Sequence, residues 1–176
     1  NVKYPTVKAN QEAVDPATGA KVKVTRVSTT DLQGEVVYEG SSDSSTTNVV
    51  IPDTVTINGL RYKVTTIKAG MFKNNKKIKT ISIGNYVKNI EENAFSGCSN
   101  LTTVKIGSEV TTIGKKAFYN CKKLKTLTLA SKGKLNTIGE SAFQNCYKLT
   151  KVKIPNSVTR IENKAFYNCK VLKTVT

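Results

Sequence analysis

The 176-residue sequence contains no histidine, no tryptophan, one methionine and four prolines. Without histidine it lacks the side chain that titrates near neutrality, and with it the usual general base, the partner of a catalytic thiol and the imidazole of a mixed metal site. No stretch approaches the ~20 apolar residues that a membrane-crossing helix requires, so no membrane insertion is expected. No Gly-rich phosphate-cradling motif occurs. Acidic side chains are few, 12 against 28 Lys and Arg, and the formal net charge is +16. The sequence opens at Asn1 with neither Met nor a charged-then-apolar leader. It reads as a mature product or a cut piece, and the expectation is that a secretion signal preceded it and was removed.

The charge is unevenly placed. Residues 1–66 hold seven basic and seven acidic side chains, which leaves 21 of the 28 basic and 5 of the 12 acidic groups to residues 67–176. That asymmetry marks a boundary and makes the second part a candidate polyanion binder.

Phenylalanine sets the frame of that second part. Phe72, Phe95, Phe118, Phe143 and Phe166 follow at steps of 23, 23, 25 and 23 residues. Five positions before each stands Ile67, Ile90, Ile113, Ile138 or Ile161, and six after it Ile78, Leu101, Leu124, Leu149 or Leu172. One unit reads V-x-x-I-x-x-x-A-F-x-x-C-x-x-L-x-x-V-x-I. A fixed period of this length indicates a solenoid, whose units bury their apolar faces only by stacking. The closing L-x-x-V-x-I alternates at period two and predicts a short strand. V-x-x-I predicts a second extended segment, and the stretch from Gly114 to Cys121 predicts a single helical turn. The two extra residues between Phe118 and Phe143 fall in Ala130 to Lys134, where the corner is expected to bulge outward and leave the core undisturbed.

Units such as "NIEENAFSGCSNLTTVKI" and "TIGESAFQNCYKLTKVKI" resemble the BspA-like leucine-rich repeats of bacterial surface and secreted proteins. The resemblance covers residues 49–176 as about five repeats. It implies a right-handed curved solenoid with a parallel β-sheet and short helical turns, and a role in cell-surface interaction or adhesion rather than catalysis. Residues 1–48 read as a β-rich N-terminal cap, with 1–20 linker-like and strands at 21–27 and 34–40; further strands follow at 48–52 and 60–67. Such a cap covers the apolar end of the first coil. At the other end the repeat stops one residue short of its closing Ile, so the array is expected to continue beyond Thr176.

Cys98, Cys121, Cys146 and Cys169 occupy one position of the repeat and would form a ladder with rungs about 5 Å apart. A ladder of that length cannot converge on a metal ion, and neither metal nor cofactor is expected. The favoured reading is buried, reduced core filler. Disulfides between neighbouring rungs and a reactive thiol are the alternatives, the first disfavoured by parallel side-chain vectors and the second by the missing base.

The outward positions of the sheet strand are Lys79, Thr80 and Ser82; Thr102, Thr103 and Lys105; Lys125, Thr126 and Thr128; Thr150, Lys151 and Lys153; Lys173, Thr174 and Thr176. This set holds six Lys, nine Thr or Ser, no acid and no aromatic side chain. It is either the face that binds a protein or a polyanionic glycan such as a glycosaminoglycan or teichoic acid, or simply a soluble exposed sheet. Nucleic acid fits poorly: the basic residues are 25 Lys to 3 Arg, and no stacking platform lies on the face. Tyr119, Tyr147 and Tyr167 could supply a contact strip beside it or pack between coils. Glu140 and Glu162, alone among lysines, suggest ion pairs rather than acid–base chemistry. The expectation is therefore a monomeric, non-enzymatic, extracellular interaction module of adhesive kind; the alternatives are an electrostatic polyanion binder and a structural spacer for another domain.

Overall fold

The computed structural model describes residues 6–176, in which all regular secondary structure is β. The N-terminal part contributes β1 (Glu12–Val14), β2 (Ala20–Arg26), β3 (Gly34–Ser41), β4 (Asn48–Ile51), β5 (Thr54–Ile57) and β6 (Leu60–Ile67). Strands β1, β2 and β3 form an antiparallel ribbon, and β5 pairs β6 antiparallel. The β5–β6 hairpin turns on Asn58 and Gly59 at φ 49° and 81°, the two positive angles that a two-residue hairpin of this hand needs.

Two of these strands, β1 and β5, lie outside the segments that alternation marks. In β1 only Ala13 is partly buried between exposed Glu12 and Val14, too short a pattern to stand out, yet it corrects the reading of 1–20 as linker-like. Residues 1–5 of that stretch lie outside the described residues. Asp15, beside β1, is buried and pins the ribbon: its carboxylate accepts hydrogen bonds from the Thr18 N–H at 2.9 Å and from the Thr56 N–H of β5 at 3.0 Å.

The repeats add β7 (Thr80–Ile83), β8 (Asn89–Ile90), β9 (Thr103–Lys105), β10 (Thr112–Ile113), β11 (Thr126–Thr128), β12 (Thr137–Ile138), β13 (Lys151–Val152), β14 (Arg160–Ile161) and β15 (Thr174–Val175). One sheet runs β1-β2-β3-β6-β8-β10-β12-β14 and is parallel from β3 onward. The N-terminal cap and the solenoid thus share a sheet. The facing side carries the parallel stacks β4-β7-β9-β11 and β13-β15.

The core lies between them. Phe72, Phe95, Phe118, Phe143 and Phe166 stack ring on ring with centroids 5.1–5.4 Å apart and planes within 8° of parallel. Each ring needs its counterpart in the same register one coil away, which is why phenylalanine keeps strict step along the sequence.

The third side is not the helical turn that the A-F-x-x-C spacing predicts. It is a chain of reverse turns. In the coil Glu91–Cys98, the N–H groups of Ala94, Ser96 and Cys98 close onto the carbonyls of Glu91, Asn93 and Phe95 at 3.1–3.3 Å. The intervening N–H groups of Asn93, Phe95 and Gly97 reach the next coil, donating to Lys115, Ala117 and Tyr119 at 3.0, 2.8 and 2.7 Å. A helix directs its N–H groups along its own axis; here every second one ties coil to coil. The arrangement requires positive φ twice per coil, as at Asn93 and Gly97 (57° and 75°) or Lys116 and Asn120 (53° and 59°). Asn or Gly fills the second of these positions in every coil, as Asn74, Gly97, Asn120, Asn145 and Asn168. Those residues tolerate the left-handed region best.

Candidate interaction face

The outward side chains of β4, β7, β9 and β11 align in two rows fixed by strand register. Asn48, Thr80, Thr103 and Thr126 stand abreast, and beside them Val50, Ser82, Lys105 and Thr128. Lys151 stands abreast of Thr174 on the second stack. Lys79, Thr102, Lys125, Thr150 and Lys173 occupy the corner just ahead of the strands, where the N–H of Thr102 donates to Lys79 O at 2.8 Å and that of Lys125 to Thr102 O at 2.9 Å. All six lysines of this face are exposed.

Their charge is uncompensated. Among the described residues seven ion pairs form, and none includes Lys79, Lys105, Lys125, Lys151, Lys153 or Lys173. The acids are engaged elsewhere: Glu39 with Lys68 at 2.9 Å, Glu109 with Lys134 at 2.7 Å, Glu140 with Lys115 at 3.1 Å and Glu162 with Arg160 at 2.9 Å. Glu91, adjacent to Glu92, accepts the Ala69 N–H at 3.0 Å and serves the turn side. Like charges on exposed side chains produce a positive potential over the sheet that is screened within about 10 Å at 0.1 M salt.

Between β11 and β13 the sheet is interrupted. A groove of about 550 Å³ opens there, lined by Lys125, Thr126, Leu127, Thr128, Thr150, Lys151, Val152 and Lys153 with Thr174 and Thr176. Leu127 is 8% exposed at its floor, whereas Val104, its counterpart one coil earlier, is fully covered. The interruption lies beside the 25-residue coil. The added residues at Ala130–Lys134 leave the core closed, with Leu135 and Ile138 buried, but the sheet does not continue past them.

The four cysteines are free; Cys98, Cys121 and Cys146 are buried, Cys169 partly so. Each thiol donates to the carbonyl of a phenylalanine on the preceding coil: Cys98 to Phe72 at 3.2 Å, Cys121 to Phe95 at 3.3 Å, Cys146 to Phe118 at 3.4 Å and Cys169 to Phe143 at 3.2 Å. Those carbonyls already accept one main-chain N–H within their own turn, so the S–H occupies the second lone pair. A small apolar residue with one weak donor suits this position better than Ala or Val. Burial pushes the Cys98 thiol up to about 12 and raises Cys121, Cys146 and Cys169 in the same direction. These are protonated, unreactive thiols at neutral pH.

The tyrosines divide. Tyr119 and Tyr147 are half-buried, with the ammonium groups of Lys116 and Lys170 lying 5.6 and 4.8 Å from their ring centroids. Tyr167 is 59% exposed. All three sit beside the turns and none on the sheet face.

A BspA-type leucine-rich repeat region, in six copies, matches residues 41–173. The chain belongs to the BspA-type leucine-rich repeat family. Its six copies agree with the six strands β4, β7, β9, β11, β13 and β15 that stack on one side, since β4 opens a coil ahead of the five phenylalanine-bearing units. Solved relatives share the solenoid. A Treponema pallidum leucine-rich repeat protein is 24% identical with a TM-score of 0.73 over 98% of this chain and 71% of its own. The pneumococcal vaccine antigen PcpA is 21% identical with a TM-score of 0.65 over 96% of this chain and 49% of its own. A leucine-rich cell surface protein from Faecalibacterium prausnitzii is 22% identical with a TM-score of 0.50 over 96% of this chain and 55% of its own. The chain thus spans about half the length of the last two. No curated protein matches it. Among the described residues of this BspA-type chain, no group of three or more Cys, Asp and Glu side chains is disposed to hold a metal ion.

Proposed function

We propose that this BspA-type chain is a non-enzymatic interaction module of a bacterial surface or secreted protein, adhesive in kind, which holds a protein partner on its Lys/Thr sheet face. The observation that carries this reading is the segregation of charge. Every acid that forms an ion pair does so away from the sheet face, and six exposed lysines there stand unneutralised over at least four coils. An array of threonine hydroxyls and ammonium groups on a rigid parallel sheet favours an acidic, extended partner surface by steering and by charge-assisted hydrogen bonds. The description of one solved relative as a cell surface protein and of another as a vaccine antigen supports an exterior location.

Two variants of equal charge test the proposal. Lys79→Glu/Lys125→Glu/Lys151→Glu reverses the sheet face, and Lys73→Glu/Lys116→Glu/Lys164→Glu reverses the turn side. Binding to immobilised acidic extracellular proteins should fall on the order of tenfold or more for the first and less than about twofold for the second. Equal losses would refute a dedicated face. The same lysines favour a second reading, a polyanion binder: capture by heparin or teichoic acid that vanishes at moderate salt, with no protein bound, would replace the first.

A further inference from the structure

Where the cap meets the first corners of the solenoid, the surface holds a groove of about 580 Å³. Asp53 and Lys63 border it from the cap, Asn85, Tyr86 and Lys88 from one corner, and Ser108 and Glu109 from the next. None of the six sheet-face lysines borders it. Strand pairing explains why these residues meet. Thr54 of β5 stands opposite Lys63 of β6, and the parallel register of β4 with β7 sets Ile51 beside Ile83, so the Pro52–Asp53 corner lies against Gly84–Asn85. Two hydrogen bonds lock the join: the Asn85 N–H donates to Asp53 Oδ1 at 2.6 Å, and the Val64 N–H to Asp53 O at 3.0 Å.

Unlike the sheet face, this groove is balanced in charge, with two acids and two lysines on its border. Glu109 is engaged by Lys134 at 2.7 Å and Lys88 by Glu35 at 3.4 Å, whereas Asp53 and Lys63 enter none of the seven ion pairs among the described residues. Both are nevertheless held in place. The Asn85 N–H fixes Asp53, and the Tyr86 ring, its centroid 5.1 Å from Lys63 Nζ, fixes the ammonium. The Asn85 side-chain oxygen accepts the Ser108 N–H at 3.4 Å, which leaves the Asn85 side-chain N–H groups to donate.

A fixed acceptor, Asp53, thus stands among fixed donors, Lys63 and Asn85, beside the half-buried ring of Tyr86. An anion would be attracted by one half of this set and repelled by the other, and so would a cation. A hydroxyl group both donates and accepts, so a polyhydroxylated ligand without charge satisfies the whole set. We infer that the groove is a binding site for a neutral oligosaccharide of pyranose units. Asp53 accepts from one sugar hydroxyl, Lys63 and Asn85 donate to others, and the C–H surface of a sugar ring packs against Tyr86. Asp53 and Asn85 also border a hollow of about 430 Å³ that runs on to Val50, Pro52 and Lys105, which gives a chain of sugars more room than a single unit needs. Because the polar groups are held before the ligand arrives, little conformational entropy is lost on binding. This inference stands independently of the reading of the sheet face.

Isothermal titration calorimetry of the whole chain with cellotetraose, chitotetraose, maltotetraose and a heparin tetrasaccharide tests it. At least one of the three neutral sugars should bind with a Kd of about 1 mM or tighter, and its affinity should stay the same from low to moderate salt. Tyr86→Ala and Asp53→Asn should each weaken that binding about tenfold, while Lys79→Glu/Lys125→Glu/Lys151→Glu changes it less than about twofold. Should Tyr86→Ala unfold the chain by circular dichroism, Asp53→Asn and Lys63→Met, which keep the shape of the side chains they replace, decide the matter. Failure of all three neutral sugars to bind, binding of the heparin tetrasaccharide alone, or binding that the sheet-face triple variant abolishes and Asp53→Asn leaves intact would overturn the inference.

Discussion

Phe118→Ala should lower the stability of the chain by about 3–5 kcal/mol, the range observed for emptying a buried aromatic site. Phe118 is fully buried at the middle of the ring stack, 5.1 Å from Phe95 and 5.2 Å from Phe143. The cavity it leaves is walled by two coils whose main chains are tied to one another, including the Phe118 N–H to Ala142 O at 2.8 Å, so collapse cannot fill it. In a solenoid each coil touches only its neighbours, and stability approximates a sum of coil and interface terms. The substitution weakens two adjacent interfaces at once. Urea unfolding followed by far-ultraviolet circular dichroism should show an earlier midpoint, with the C-terminal coils melting before the cap-bearing half. A loss below about 1 kcal/mol would mean that the ring stack contributes little beyond filling space.

Alkaline pH should unfold the chain through its thiols. The folded-state pKa of Cys98 stands near 12 against an ordinary value of 9.0, and Cys121, Cys146 and Cys169 are displaced in the same direction, all chiefly because burial disfavours the thiolate. Above pH 9 the unfolded chain releases thiol protons that the folded chain retains. Stability from this source is therefore complete below pH 9 and falls as pH rises toward 12. Each thiol withdraws up to about 1.4 kcal/mol per pH unit, so Cys98 alone accounts for about 4 kcal/mol across that window. Tyr38, pushed up to about 12 by burial, adds in the same direction. Thermal unfolding from pH 8 to 11 should show a steep decline in the native chain and a shallower one when all four cysteines are replaced by alanine. Parallel pH profiles for the two would contradict the assignment.

The repeat was legible because its strongest constraints act on single positions. A stacked phenyl ring, an isoleucine on a sheet and a thiol beneath a carbonyl each demand the same residue at the same step, and the period follows from them. Glu140 and Glu162, solitary among lysines, form the ion pairs that their surroundings suggest. The turn side was misread as helical because apolar residues three and four apart suit a helical turn and a run of reverse turns equally well. The signal that separates them is the Asn or Gly two residues after each phenylalanine, which a helix interior disfavours and positive φ requires. In the cap, β1 is too short to show alternation, and Asp15 gains its role only when the fold brings Thr56 of β5 to it. The 25-residue coil marks where the sheet breaks between β11 and β13, but insertion length alone does not tell whether a corner bulges harmlessly or parts the sheet. The strand pairing decides that, and it is visible only in three dimensions.

Lysine footprinting tests the central claim most directly. The chain is bound to a captured acidic protein partner, its lysines are acetylated briefly, and each site is read by mass spectrometry against the free chain. The account predicts that Lys79, Lys105, Lys125, Lys151, Lys153 and Lys173 lose reactivity in the complex, while Lys73, Lys116 and Lys164 on the turn side keep theirs. Protection of the turn-side lysines with the sheet-face lysines still reactive would contradict it.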